Sequence, residues 1–304
     1  MTNFKWFASF VLAAAIIPTL PAETHCLGNV ASVPLRLVNR YQMIVSVSIN
    51  HSSPYNFLLD TGTQVTMIDP SLAGELHLDV QGSAVVAGAG FHADASFAQV
   101  GLLEVGTHAV ANQRVLVYNL QSLKSSDLSI RGILGVDFLD HFDMLIDNAH
   151  RQLCLDDSST MQAELKGPHI ALLTPAQSAD GPVLPKSPVI AVRLSDGMRP
   201  VRLKLDSGTN APLLYNTAQY MALGLFRGAS WHGDGANGKQ QAFMALPPQN
   251  MKIGSLELPR VLFVTFAGGQ KNLPPSDFDG LMATGLFRRV FIAHQGLFAV
   301  LESW

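Results

Sequence analysis

Two stretches decide the reading of this 304-residue chain: Phe57-Leu58-Leu59-Asp60-Thr61-Gly62-Thr63 and Leu203-Lys204-Leu205-Asp206-Ser207-Gly208-Thr209. In each, a strand-like apolar run ends in Asp, a hydroxyl residue and Gly. A buried run of this kind delivers a carboxylate to a fixed place. Gly permits a tight turn and a close backbone approach. The N–H groups and hydroxyls of the turn can hydrogen-bond the carboxylate and hold its plane. A single Asp-Thr/Ser-Gly carries little weight, because a turn in which Asp caps its own backbone reads the same way.

The surroundings carry more. At an offset of 146, MIVSVSINHSSPYNFLLDTGTQVTMID (43–69) lies over VIAVRLSDGMRPVRLKLDSGTNAPLLY (189–215) without a gap. At an offset of 148, ILGVDFLDHFDMLID (133–147) lies over LMATGLFRRVFIAHQ (281–295). Asp60 precedes Ile133 by 73 positions and Asp206 precedes Leu281 by 75. Two motifs in one order at nearly one spacing argue for duplication of a supersecondary plan.

The elements are read as short strands. Met43–Ile49, Tyr55–Leu59, Phe97–Val105 and Val115–Tyr118 are rich in β-formers and are separated by Gly or Asn/Ser clusters. A helical exception, Val136–Phe142, precedes another strand-like run, Met144–Ile146. The fold expected is all-β with short helices. Residues 1–22 read as a signal peptide, 23–157 as an N-terminal lobe, 158–186 as a Pro-rich linker with a strand near Ile170–Leu173, and 187–304 as a C-terminal lobe.

Composition narrows the function classes. The chain is 48% hydrophobic and 14% charged, with formal net charge -3. That balance offers no basic face for nucleic acid and no Lys/Arg run for an anionic membrane. Lys5, the apolar stretch Trp6–Ile17, Pro18 and the small Ala22 have the order of a secretory signal. The stretch is shorter than the ~20 residues a spanning helix needs. The mature chain is therefore expected without a membrane span and exported, periplasmic or secreted; the alternative is an anchor left by an uncleaved N-terminal segment. Only a short segment separates Ala22 from the first strand, so a long inhibitory prosegment is not expected. Cys26 and Cys154 permit one disulfide in an oxidising compartment; a free Cys154 packed in a strand is the other reading.

With these residues in view, the chain resembles the aspartic peptidases of the pepsin and retropepsin type. The resemblance runs from about 33 to 304 and rests on DTGT at 60–63, DSGT at 206–209 and Ile133-Leu134-Gly135 ahead of a short helix. It implies two pseudo-symmetric, mostly β lobes with an active-site cleft between them and catalytic Asp60 and Asp206, one from each lobe. It is similar to bacterial, exported members. With both halves in one chain, a monomer suffices. The implied activity is that of an aspartic-type endopeptidase on a peptide or protein substrate, with no metal, organic cofactor or covalent intermediate. Two carboxylates about 3 Å apart share one proton and titrate in separated steps, as is general for aspartic proteases. The resemblance further implies that Thr61 and Ser207 link the two loops and that Gly62 and Gly208 make their turns. Thr63 and Thr209 then donate to the adjacent carboxylates, and Gly135 crosses behind the first loop. Donation to the charged form points to an acidic working range.

The chain departs from the family pattern in two places. Leu281-Met282-Ala283 stands where the first half has Ile133-Leu134-Gly135, and Ala lacks Gly's freedom at positive φ. A second loop braced differently is expected. The flap expected over Val86–Phe97, with Gly88, Ala89, Gly90 and Phe91 at its tip, has no Tyr; Phe91 or His92 would take its place. These departures leave open a catalytically weak or inactive peptide- or protein-binding chain on the same scaffold. A narrow processing enzyme is a further reading. Other signals fall away. Gly88–Ala93 fits G-x-G-x-x-A, but the residues after it alternate like a strand and do not open a helix. The ten His show no H-E-x-x-H or paired Cys/His spacing. No G-x-S-x-G elbow occurs. Asp137 reads as a helix-start cap.

Overall fold

A computed structural model of the chain describes residues 26–39, 41–88, 91–123, 129–173, 187–194, 199–215, 230–234, 240–267 and 278–304. The signal expected over 1–22, Ala89 and Gly90 of the flap, and 174–186 of the linker lie outside the described residues.

The β-branched and aromatic runs form strands. In chain order these are β1 Ser32–Pro34, β2 Arg36–Val38, β3 Gln42–Ile49, β4 Tyr55–Leu59, β5 Met67–Ile68 and β6 Val80–Gly88. The first half continues with β7 Phe91–Val105, β8 His108–Val117, β9 Ile130–Leu134, β10 Asp143–Asp147 and β11 Gln152–Asp156. Next come β12 Ile170–Ala171, β13 Val189–Val192, β14 Val201–Asp206, β15 Leu213–Leu214, β16 Ser230–Asp234 and β17 Gln240–Ala245. The last are β18 Gln249–Ile253, β19 Leu256–Val261, β20 Val264–Phe266, β21 Gly280–Ala283, β22 Arg289–Ala293 and β23 Phe298–Glu302. The α-helices among the described residues are short: α1 Pro70–Glu75, α2 Val136–Leu139 and α3 Thr160–Glu164. No helix there is long and apolar enough to cross a membrane. The described residues are mostly β with short helices, the all-β class expected from sequence.

The duplication read from sequence is drawn in the strand order. The first sheet runs β2-β3-β4-β9-β5-β8-β7-β6 and the second β13-β14-β21-β15-β20-β17-β16. From β3 and β13 onward the two orders correspond strand for strand. Each aspartate strand lies parallel to the strand of its support motif, β4 with β9 and β14 with β21. In each half a two-residue strand, β5 or β15, then runs antiparallel to that support strand.

A third sheet joins the halves in the order β1-β11-β10-β22-β23-β12. Its centre is the antiparallel pair β10–β22, in which Met144 faces Ile292. These two residues are 148 positions apart, the offset of the second repeat, so each is the other's image and the pseudo-twofold axis passes between them. Their side chains are fully buried, as are Phe57, Leu59 and Phe138 of the first half and Leu203, Leu205 and Phe287 of the second. All belong to one continuous apolar cluster. A core shared in this way couples the halves, since each leaves apolar area exposed without the other.

Cys26 and Cys154 are disulfide-bonded, with Cα atoms 5.9 Å apart. The bond fastens the N-terminal turn to β11, and α3 packs on that turn. Glu164 accepts from the Gly28 N–H at 2.8 Å. Asp156 accepts from the Met161 N–H at 2.6 Å and thereby orders the start of α3. The segment read as a linker therefore begins with built structure, and Ile170–Ala171 pairs with Ala299–Phe298 at the sheet edge.

Candidate active site

β4 and β14 carry Asp60 and Asp206 to one junction. Leu58 and Asp60 share one face of their strand, Lys204 and Asp206 share one face of theirs, and the residues between point into the core. Leu134 accepts from the Asp60 N–H at 3.1 Å, which fixes the end of the first strand against the support motif. In the second half Asp206 lies beside Ala283 in the parallel ladder.

Four hydrogen bonds cross between the loops, in two image-related pairs. The Thr61 hydroxyl donates to the Leu205 carbonyl at 2.9 Å, and the Ser207 hydroxyl to the Leu59 carbonyl at 2.8 Å. The Thr61 N–H donates to Ser207 Oγ at 3.1 Å, and the Ser207 N–H to Thr61 Oγ1 at 3.0 Å. Both side chains are buried. Each such bond contributes about 0.5–1.5 kcal/mol net, and losing one strands a buried partner. Thr61 and Ser207 thus join the two loops through both backbone and side chain.

Gly62 and Gly208 are needed for space. A Cβ on Gly62 would stand 2.5 Å from Asp206 Cγ, and one on Gly208 would stand 2.7 Å from Asp60 Oδ2. Each turn therefore leaves room for the opposite carboxylate. Gly208→Ala is expected to push the Asp60 carboxylate aside and cost about 1–3 kcal/mol, read by urea unfolding. An unchanged midpoint would mean the two turns are not packed this closely.

The two carboxylates are held unequally. Asp60 accepts from the Gly62 and Thr63 N–H groups at 2.8 and 3.0 Å and from the Thr63 hydroxyl at 2.8 Å. Asp206 accepts from the Gly208 N–H at 2.7 Å. The expectation that Thr209 mirrors Thr63 fails, because its hydroxyl donates to the Ala211 carbonyl at 3.1 Å. The second loop continues Asn210-Ala211-Pro212, and this bend offers Thr209 a backbone acceptor. Burial first, and then the charge of Asp60, push the Asp206 carboxyl up to about 7.

The support motifs also differ, though not for the expected reason. Gly135 has φ −99°, which any residue can adopt. Glycine is there because a Cβ would meet the Thr66 nitrogen at 2.9 Å and the Thr63 carbonyl oxygen at 3.0 Å. That turn is tied down by the Thr66 hydroxyl, which accepts from the Gly135 N–H at 3.1 Å and donates to Asp137 at 2.6 Å. Asp137 also accepts from the Thr66 N–H at 2.9 Å. Asp137 stands in the first turn of α2, as read, and its carboxylate also holds the first aspartate loop. The image positions are Pro212 and Gly285, which offer neither a hydroxyl nor a carboxylate. The turn after Ala283 is held instead from the other half, where the Asn148 amide donates to the Thr284 and Phe287 carbonyls at 3.1 and 2.9 Å.

Two further groups border Asp206 that the sequence reading did not single out. Lys204 donates to the Gly62 carbonyl at 2.7 Å, and its ammonium lies 4.5 Å from the centre of the Phe278 ring. Tyr215 is buried, and burial followed by the charge of Asp206 raises its hydroxyl's pKa. The available signal was the charge interrupting Leu203-Lys204-Leu205 where the first half has Leu58. The hairpin expected as a flap forms from β6 and β7, with Val86 opposite Ala93 and Gly88 opposite Phe91.

Among known families, a model described as aspartyl protease matches residues 45–138, from within β3 to α2. The match includes the Asp60 loop and Gly135 and leaves the second half outside it. No curated protein matches the chain.

Proposed function

We propose that the chain is an aspartic-type endopeptidase in which Asp60 and Asp206 act on one water molecule. The observation that carries this reading is the meeting of two image-related aspartate loops, cross-linked through Thr61 and Ser207, with each turn shaped around the other's carboxylate. The aspartyl protease match over the first of these loops supports it.

The unequal hydrogen bonding suggests how the labour is divided. Asp60 already accepts from three donors, an arrangement that suits a carboxylate. Asp206 is buried beside that charge and is the better place for the shared proton. In the proposed cycle Asp60 draws a proton from water as it attacks the scissile carbonyl carbon. Asp206 donates its proton to the carbonyl oxygen. Collapse of the tetrahedral species then returns a proton through the pair to the leaving amine. The residues of the dyad suffice for this step. The substrate would lie in a cleft between the lobes, under the hairpin of β6 and β7.

Activity needs one proton on the pair, so turnover is expected from acid pH towards neutrality and to fade as pH passes about 7. The test is a peptide library incubated with the chain from pH 3 to 9, with a statine-type peptide as inhibitor, since a mimic of the tetrahedral species should bind an active dyad tightly. An optimum above neutrality, or cleavage indifferent to the inhibitor, would sink the mechanism.

The second reading is a binding protein on the same scaffold with little turnover. It is favoured by one observation, the Thr209 hydroxyl turned away from Asp206. Tight inhibitor binding without cleavage at any pH would select it. We also propose that the chain is exported and acts as a monomer. The Cys26–Cys154 bond suits an oxidising compartment, and both loops come from one chain.

A further inference from the structure

Among the described residues, the break in the symmetry that places a charge beside the pair is Lys204, whose image in the first half is the buried Leu58, 146 positions earlier. A cation in that place is costly unless something holds it. The Gly62 carbonyl accepts from it at 2.7 Å, and the face of Phe278 lies 4.5 Å away. Gly62 is itself the residue whose turn faces Asp206. Lys204 therefore reaches from the strand of one aspartate to the turn of the other.

We propose that Lys204 is a positioning residue for the pair: its ammonium, fixed on the Gly62 carbonyl, stabilises the singly ionised pair and displaces the working range of the site towards acid. The inference rests on the two-aspartate reading. A cation acting on both carboxyls through space favours each loss of a proton, so both limbs of a pH profile move to lower pH. The direction agrees with the electrostatics. Lys204 draws the Asp206 carboxyl down against the larger upward effects of burial and of Asp60. Burial pushes the Lys204 ammonium below the ordinary lysine range, while Asp206 and then Asp60 draw it up.

Among the described residues, few other ionisable groups compete on this face. In the flanking strands Lys204 is opposite Val189 and Leu281, both apolar. Tyr215 is the remaining titratable group beside Asp206. Asp279 lies further along the strand pair and is engaged by the Arg202 N–H at 2.8 Å and by the Arg202 and Arg199 guanidinium groups at 3.4 and 3.9 Å.

Three variants separate charge from hydrogen bond. Lys204→Gln keeps a donor for the Gly62 carbonyl and drops the charge, Lys204→Met drops both, and Lys204→Arg keeps both. Profiles of kcat/KM against pH are expected to move upward on both limbs by about one pH unit for Gln and Met, and to stay in place for Arg. Superimposed profiles would overturn the inference. So would a uniform loss of rate with unmoved limbs, which a merely structural residue would give. A profile for Arg displaced to lower pH would mean that Lys204 is neutral in the wild type, and would also overturn it. Titration of the aspartate carboxyls by 13C NMR reads the same shift without turnover. A wild type that never cleaves peptide would fail the peptidase reading, and the NMR titration of wild type against Gln and Met would still decide the role of Lys204.

Discussion

On the proposed mechanism, Asp60→Asn and Asp206→Asn are each expected to lower peptide hydrolysis by about a thousandfold or more, because one would remove the group that takes the proton and the other the group that gives it. The two variants differ in stability, and this difference makes the experiment specific. Asn at 60 keeps a single acceptor where Asp60 now serves three donors, so that loop loosens. Asn at 206 removes a buried carboxyl whose folded-state pKa stands above its ordinary value. Between about pH 4 and pH 7 the folded wild type holds a proton there that the unfolded chain has lost. The stability contributed by this group is complete below pH 4 and falls as pH rises to about 7, by an amount on the order of a few kcal/mol. Asp206→Asn abolishes that slope and is more stable than the wild type at pH 7, whereas Asp60→Asn is less stable. Urea unfolding at pH 4, 5, 6 and 7 gives the comparison. Equal slopes for wild type and Asp206→Asn would show that the proton does not reside on Asp206. Cleavage by either variant at the wild-type rate would end the two-aspartate mechanism.

Loss of the disulfide has the next largest expected effect. Cys26 and Cys154 are 128 positions apart. Closing a loop of that length restricts the unfolded chain strongly, and removal of the bond costs about 2–5 kcal/mol. Cys26→Ala combined with Cys154→Ala should show this loss in urea unfolding, and reduction of the wild type should reproduce it. The loss should be greatest around α3, whose partner is the turn that Cys26 begins. A double variant as stable as the wild type would mean that the bond fastens a segment already held by Glu164 and the α3 packing. Since the same bond carries the case for export, chain produced in a reducing cytoplasm is expected to be the weaker form.

The parts of this fold that were legible in sequence are those that depend on neighbours along the chain. The run Tyr55–Leu59 reads as a strand because its residues are β-formers, and it is β4 to the residue. The helical run after Gly135 is present as α2, four residues long. The repeat itself foretold the matched strand orders, because duplication copies spacing as well as composition. What stayed hidden depends on distances between segments far apart in sequence. Thr209 looks like Thr63 until the bend towards Ala211 is known. Ala283 looked like a loss of backbone freedom, whereas Gly135 answers to crowding by Thr63 and Thr66. Asp137 was legible as a helix-start acid, but the turn it also holds lies about seventy residues earlier. Lys204 was visible as a charge between two leucines, but the carbonyl that receives it belongs to the other half. Even counts of cysteine left pairing undecided until both were placed at one end of the joining sheet.

The pair β10–β22 has a mechanical meaning. It is a backbone ladder, and its axis is the one that relates the two aspartates. To swing the halves apart about that axis would break main-chain hydrogen bonds and open the shared core at the Met144–Ile292 pair. Such a seam behaves as a weld, and does not yield like a hinge. The span between the two carboxylates is thus set when the chain folds, and on the proposed mechanism it would not be retuned for each substrate. On that mechanism, freedom to admit a ligand would then fall to the arm formed by β6 and β7 rather than to the aspartate pair.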